Sequence, residues 1–369
     1  MTAGSEGRAY RVVLIPGDGI GLEVTAAAVA VLEAAAATHG FRLAFERHEA
    51  GAGCYLRTGR AMSDETFAAC RAADGVLKGP VGLPDVRLPD GTEAGVLGGI
   101  LRRGLDLYAN LRPIRLLPGA PSPLAGRAPG SIDYAIVREN TEGLYISRGS
   151  GVGTPDAVAD TLLITRRGTE RVARFAFELA QSGHGAPRDG VRRVTCVDKA
   201  NVLRSYAFFR SVVAEVARAY PDVELECRYA DAMAQALVLE PDRFDVVLCE
   251  NFIGDILTDL GGATIGGLGF CPSANIGDAG AYFEPAHGSA PDIAGRDIAN
   301  PIATILSGAL LLDHLGEFDA ATAVRQATAR ALAEGLVRVV PDGRLASGCQ
   351  AAGETIARLV ADAQGGDPP

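Results

Sequence analysis

FDVVLCENFIGDILTDL, residues Phe244 to Leu260, passes from a strand into a helix. Phe244 to Cys249 reads as a buried strand. The helix that follows places Asp255 and Asp259 four residues apart, so both carboxylates share one face on successive turns. Like charges at that spacing repel. A hard divalent cation, which takes oxygen ligands, is one compensation; a solvated acidic face is the alternative. The flanking Ile253, Ile256, Leu257 and Leu260 are apolar. An acidic pair that opens a helix at the C-terminal end of a buried strand stands where open α/β sheets carry ligand sites.

Outward from this stretch the same alternation recurs. Strands are predicted over Tyr10–Ile15, Phe41–Arg47, Gly75–Lys78, Ile132–Val137, Val191–Val197 and Val223–Tyr229, with helices over Leu22–Thr38, Arg167–Gln181 and Leu203–Tyr220. Ser63 is a helix cap with Asp64 and Glu65 in the first turn. Alternating strands and helices predict an α/β architecture with substantial parallel pairing. Pro16 to Gly21, PGDGIG, joins strand to helix but lacks the G-x-G-x-x-G spacing of the dinucleotide fingerprint. A tight turn needing positive φ explains it equally well.

Charged groups collect at strand ends. Arg138, Lys199, Asp231 and the Asp255/Asp259 pair each follow a predicted strand, the pattern of an active-site crevice. Arg102, Arg103 and Arg112 sit among apolar residues in 91–115. Either an anion clamp or an internal salt bridge accounts for arginine there. Residues 146–163 are rich in Gly and Thr and predict a protruding ribbon or arm. The irregular segment Glu284 to Gly295 carries His287, one of only five histidines, and is too apolar for disorder. Asn300-Pro301 opens the next helix.

The chain has 369 residues, 48% hydrophobic and 22% charged, enough for two domains or one large α/β unit. A net charge of −10 argues against a nucleic-acid partner. No apolar run approaches the ~20 residues of a membrane helix. Thr25–Thr38 and Pro301–Leu312 fit amphipathic or buried helices better, so no membrane partner is expected. The N-terminus lacks a signal-peptide hydrophobic region. Seven scattered cysteines without CxxC predict reduced core thiols in a cytoplasmic protein.

The motifs LYANLRP, VRENTEGLY, DKANVL, YADAMA, GDILTD and FEPAHGSAPDIAG, read together, resemble those of the β-decarboxylating dehydrogenases. That family includes the isocitrate, 3-isopropylmalate, homoisocitrate and tartrate/D-malate enzymes, and the similarity covers nearly the whole chain. The resemblance implies a two-domain, non-Rossmann α/β fold. Residues 1–107 plus 266–369 would form a discontinuous cofactor-binding domain, and 108–265 a dimerisation and substrate domain. It implies a homodimer in which Lys199 and Asp231 complete the neighbouring site. Arg102, Arg112 and Arg138 would hold substrate carboxylates, Asn201 would orient the site, and Tyr145 and Lys199 would move protons. Asp231, Asp255 and Asp259 would bind Mg²⁺ or Mn²⁺.

The resemblance also places the adenosine end of NAD on the loop of His287, Gly288, Ser289, Ala290, Pro291, Asp292 and Asn300. Asp292 would accept from the ribose hydroxyls and repel the 2′-phosphate of NADP; by itself it reads as a turn cap. Val96 to Ile100 offers no hydrogen-bonding side chain for a third carboxylate, which favours a 3-isopropylmalate type of substrate. Tartrate or D-malate ranks next, and isocitrate third unless Thr92 or Glu93 folds into the site. A non-catalytic regulatory subunit or a binding protein reusing the fold would be expected to lose catalytic positions, and all of them are present here.

Overall fold

The computed structural model describes residues 8–362. Its main sheet is built from β1 (Ala9–Ile15), β2 (Arg42–Arg47), β3 (Gly75–Lys78), β4 (Ala109–Arg115) and β5 (Asp133–Glu139). It also takes β8 (Arg193–Asp198), β9 (Glu224–Tyr229), β10 (Val246–Cys249), β11 (Pro272–Ile276) and β12 (Ala281–Pro285). β6 (Val152–Thr154) and β7 (Ala157–Ala159) form a separate exposed antiparallel ribbon, where an arm was expected.

The helices are α1 (Gly21–His39), α2 (Ala52–Thr58), α3 (Asp64–Ala72), α4 (Gly98–Gly104), α5 (Arg166–Ser182) and α6 (Arg204–Ala217). They continue with α7 (Ala230–Leu239), α8 (Asn251–Thr264), α9 (Ile302–His314), α10 (Phe318–Ala333) and α11 (Cys349–Asp362). Each strand and helix expected from the sequence forms within a few residues of its expected ends. Ser63 caps α3 by accepting from the Thr66 N–H at 3.0 Å.

The ten strands make one mixed sheet in the order β2-β1-β3-β12-β11-β4-β5-β10-β8-β9. Strands from the two chain ends occupy one half, and those between 109 and 249 the other. β11 joins the halves by pairing antiparallel with both β12 and β4. β4 also pairs antiparallel with β5, so β5, β10, β8 and β9 run parallel to each other but opposite to β1, β2, β3 and β12. Their C-terminal ends therefore open on one rim, which collects Arg138, Lys199, Asp231 and Asn251. Buried side chains cover both faces, with Val172, Phe177, Cys196 and Phe209 in one cluster and Val197, Met233, Leu257 and Cys249 in another.

Helix α1 is long and apolar enough to cross a membrane by length and composition. Val24, Ala27, Ala28, Val31, Leu32, Ala35 and Ala36 are buried, as the reading of this stretch as an amphipathic or buried helix expects, and it packs on α9, α10 and α11. One expectation needs correction. The cysteines are not all core thiols: six are buried, but Cys227 is exposed.

Candidate active site

The site begins where β10 turns into α8. Glu250 caps the helix, accepting from the Phe252 and Ile253 N–H groups at 2.8 and 3.3 Å. Its other contact is the Tyr206 hydroxyl, which donates at 2.7 Å. Gly254 lets α8 lie directly on β5. A Cβ there would stand 2.8 Å from both Cβ and Cγ of Arg138.

Arg138 is almost wholly buried. Its Nε donates to Asn251 Oδ1 at 2.9 Å, and its Nη1 pairs with Asp255. The Tyr145 hydroxyl donates to the other Asp255 oxygen at 2.6 Å. The Tyr145 ring lies under the Arg138 guanidinium, 5.6 Å from its centroid, and meets Phe252 edge-on. Asn251 Nδ2 donates to the Glu142 carbonyl at 2.8 Å, tying α8 to the segment that carries Tyr145. Arg138, Asp255, Tyr145 and Asn251 thus hold one another in place.

Arg102, on α4, reaches the same cleft. It donates to the Tyr282 hydroxyl at 3.0 Å and to Glu284 at 3.2 Å. Glu284 also pairs with buried Lys78 at 2.7 Å. Arg112 Nε donates to Asn110 Oδ1 at 2.7 Å, and its Nη1 stands 3.9 Å from Asp259. The salt-bridge reading is realised for Arg102, Arg112 and Arg138, each of which has an internal partner, and Arg102 and Arg138 also line the cleft.

Three arginines and three carboxylates, Asp255, Asp259 and Glu284, set the local charge. Burial raises the Asp255 pKa, but Arg138 first and then the hydrogen bond from Tyr145 outweigh it, so the group is held below the usual carboxylate range. For Asp259 burial wins over Arg112 and the pKa is raised. Burial, then the hydrogen bond to Asp255, pushes Tyr145 up to about 12. Burial, then repulsion from Arg102, lowers Arg138 to about 10. Glu284 falls to about 2: burial opposes its charge, and Lys78 and Arg102 prevail.

The cleft has a volume of about 910 Å³. Arg102, Arg138, Asn140, Tyr145, Asn251 and Asp255 line it together with Thr92, Glu93, Val96, Gly98 and Gly99. Leu97 turns into the core. Thr92 and Glu93 do fold into the site, but the Thr92 hydroxyl is committed to Asp90 at 2.7 Å and Glu93 adds negative charge. Both features oppose a third carboxylate beside them, whereas Arg103 and Arg148 line the same cleft as cations.

Lys199, Asn201 and Asp231 do not join this cluster. Lys199 Nζ pairs with Asp231 at 2.8 Å, and that hydrogen bond lowers the Asp231 pKa. Both stand at the ends of β8 and β9, which lie two and three strands out from β5. At ~4.8 Å per strand that is roughly 10 Å or more along the rim.

A second cleft of about 540 Å³ is lined by Ile20, His287, Gly288, Ala290, Ile293, Asn300, Asp342 and Arg344. His287 Nε2 and Asn300 Nδ2 are buried there without hydrogen-bond partners among the described residues. Gly19, at φ +57°, makes room for this loop: a Cβ would fall 2.0 Å from the Ser289 carbonyl. That carbonyl accepts from Ile20 N–H at 2.8 Å. PGDGIG is therefore a turn that seats the loop. Three expected contacts are placed differently. Ser289 is buried, its hydroxyl bonded to the Gly82 carbonyl, while Pro291 and Asp292 are exposed and do not line the cleft.

Sequence reasoning also missed Glu284, Tyr282, Asn140 and Asn251, and the Asp342/Arg344 pair. The "EN" before FIGDILTD and the "EP" before AHGSAP carried the only signals for Asn251 and Glu284.

A family model described as isocitrate/isopropylmalate dehydrogenase matches residues 11–355. The chain is 45% identical over 322 residues to a D-malate dehydrogenase (decarboxylating) of Escherichia coli (strain K12), covering 85% of this chain and 87% of that one. It is 44% identical over 365 residues to a 3-isopropylmalate dehydrogenase of Salinibacter ruber, covering 96% of each. The structure of isocitrate dehydrogenase from Methylococcus capsulatus superposes with a TM-score of 0.84 at 37% identity, covering 95% of this chain and 99% of that one.

Proposed function

We propose, on the premise that this chain belongs to the isocitrate/isopropylmalate dehydrogenase family, that it oxidatively decarboxylates a 3-substituted malate with NAD⁺ and Mg²⁺ or Mn²⁺. The observation that carries this reading is the cluster of Arg102, Arg138, Tyr145 and Asp255 in one cleft. Guanidinium forks suit a substrate with two carboxylates. Tyr145, pushed up to about 12, stays protonated near neutrality and lines the same cleft, which supports its role as the donor of a proton to C3 of the enol. Lys199 of the partner subunit, as the neutral amine, takes the proton of the C2 hydroxyl.

The donor chemistry fits both cofactors. Asp255 and Asp259 offer hard carboxylate oxygens from one helix face, and Asp231 of the partner subunit adds a third. The unpartnered His287 Nε2 and Asn300 Nδ2 fit the polar edge of an adenosine. When bound, the cation supplies charge that favours the ionised hydroxyl and the enolate, and the dinucleotide supplies the hydride acceptor. Exposed Leu239 and Ile256 on α7 and α8, and Val152 and Val158 on the ribbon, are apolar surface of the kind that marks an interface, which supports a homodimer. Two α/β domains split near 107 and 265 agree with the two halves of the sheet.

For the C3 substituent, Val96 with the Gly98/Gly99 pair favours apolar groups of the 3-isopropylmalate type. Thr92 and Glu93 in the same cleft favour a second reading, D-malate or tartrate, whose C3 is bare or hydroxylated. Equal yields of NADH and CO₂ from a 3-substituted malate test the reaction; NADH without CO₂ overturns it. NAD⁺ preference rests on Asp292 at the loop's outer side. Asp292→Lys should shift kcat/KM towards NADP⁺. Unchanged selectivity would assign the choice to the Asp342/Arg344 pair that lines the cleft.

A further inference from the structure

Two thiols face each other across the outer edge of the sheet. Cys196 of β8 and Cys227 of β9 are direct register partners in parallel strands. Side chains of paired residues point to the same face, here the one covered by α6. Neighbouring strands lie ~4.8 Å apart, within the roughly 4.4–6.8 Å Cα range that a disulfide spans. The two sulfurs differ in surroundings. Cys196 is fully buried and Cys227 is exposed.

We propose that Cys196 and Cys227 form a redox-active pair, oxidised by peroxide to a reversible disulfide that disturbs the turn presenting Lys199. Cys227 is the attacking thiol. The neighbouring Cys196 thiol lowers its pKa, with the charge of Arg210 assisting against burial. The same proximity, with burial, raises that of Cys196. A depressed pKa and exposure are what make a thiol react with peroxide.

The Cys227 thiolate attacks one peroxide oxygen and releases hydroxide, which takes up a proton as water, leaving a sulfenic acid. The Cys196 thiol then attacks that sulfur. The S–O bond breaks, a second water leaves, and the disulfide remains. Two thiols and one peroxide give one disulfide and two waters.

The coupling to the site runs through Asp198. Its carboxylate is 3.9 Å from Cys196 Sγ, accepts two hydrogen bonds from Arg210 at 2.7 and 2.8 Å, and accepts from Ala200 N–H at 2.8 Å. It thereby fixes the Lys199-Ala200-Asn201 turn. Cys227 stands four residues before Asp231, the partner of Lys199. Drawing the two sulfurs together shifts both strand ends at once.

The test treats the full chain with hydrogen peroxide and maps thiols by mass spectrometry, alongside hydrogen exchange over 198–203 and turnover. The turnover arm rests on the proposed function; the other two do not, so a chain with no dehydrogenase activity still decides the thiol pair. A Cys196–Cys227 link is expected, with faster exchange over 198–203 and loss of most turnover, all restored by dithiothreitol. Cys227→Ser, at an exposed position, should keep basal turnover and lose the sensitivity. Links confined to other cysteines, over-oxidation of Cys227 without a link, or a link that leaves exchange over 198–203 unchanged would each overturn the proposal.

Discussion

Asp255 and Asp259 are chemically alike and four residues apart, yet their surroundings drive their pKa values in opposite directions. Asp255 lies between Arg138 and Tyr145, and its folded pKa is below its unfolded one. Its contribution to stability is therefore present above about pH 4 and lost as pH falls through the lowered value. Asp255→Asn leaves buried Arg138 without its countercharge. It should lower stability by about 1–3 kcal/mol at neutral pH, abolish turnover and weaken Mn²⁺ binding by calorimetry. The stability difference from wild type should vanish in acid. Unchanged Mn²⁺ affinity would remove Asp255 from the metal site. The spacing of the two aspartates was legible in the sequence. That Asp255 would meet Arg138, 117 positions away, was not, because the contact depends on β5 pairing with β10.

At the scale of elements, the strand-to-helix transition into α8 was legible because FDVVLC is apolar and the acidic pair has helical spacing. Helix α4 was not: Gly98, Gly99 and Gly104 weaken its propensity, and it holds through Leu97 and Leu101 in the core. The β11/β12 hairpin was missed for a related reason. Pro272, Ser273 and Asn275 look like loop residues, and Ser273 and Asn275 are buried in a network in which Asn110 Nδ2 donates to both and Asn140 Nδ2 also donates to Asn275. The seat of α8 on β5 is the element contact that sets the site. Gly254→Val should push α8 off the Arg138 stem, costing about 1–3 kcal/mol through overpacking and reducing turnover more than cofactor binding. Thermal unfolding and a dinucleotide titration measure the two effects. A variant with wild-type Tm and turnover would show that the contact is not tight.

At the scale of the molecule, β4 and β11 reverse the sheet, so the two halves open their strand ends in opposite directions. The sequence predicted parallel pairing but held no sign of this reversal, which depends on the order in which distant strands pair. The rim of the second half carries Arg138 with Asp255 near its middle and Lys199 with Asp231 at its outer end. Within one chain these are separate clusters. The proposed homodimer with shared sites would bring them together, so mixing Lys199→Ala with Tyr145→Phe should recover activity once subunits exchange. No recovery after verified exchange would place each complete site in a single chain.

The proposed substrate is gripped by its two carboxylates and rests its C3 substituent against the apolar wall of Val96, Gly98 and Gly99. Steady-state NAD⁺ reduction with Mn²⁺ across 3-isopropylmalate, D-malate, tartrate and isocitrate tests this. The predicted result is the highest kcat/KM for 3-isopropylmalate, D-malate or tartrate next, and isocitrate last. A clear preference for isocitrate would contradict it and assign the third carboxylate to Arg103 or Arg148, the other cations that line the cleft.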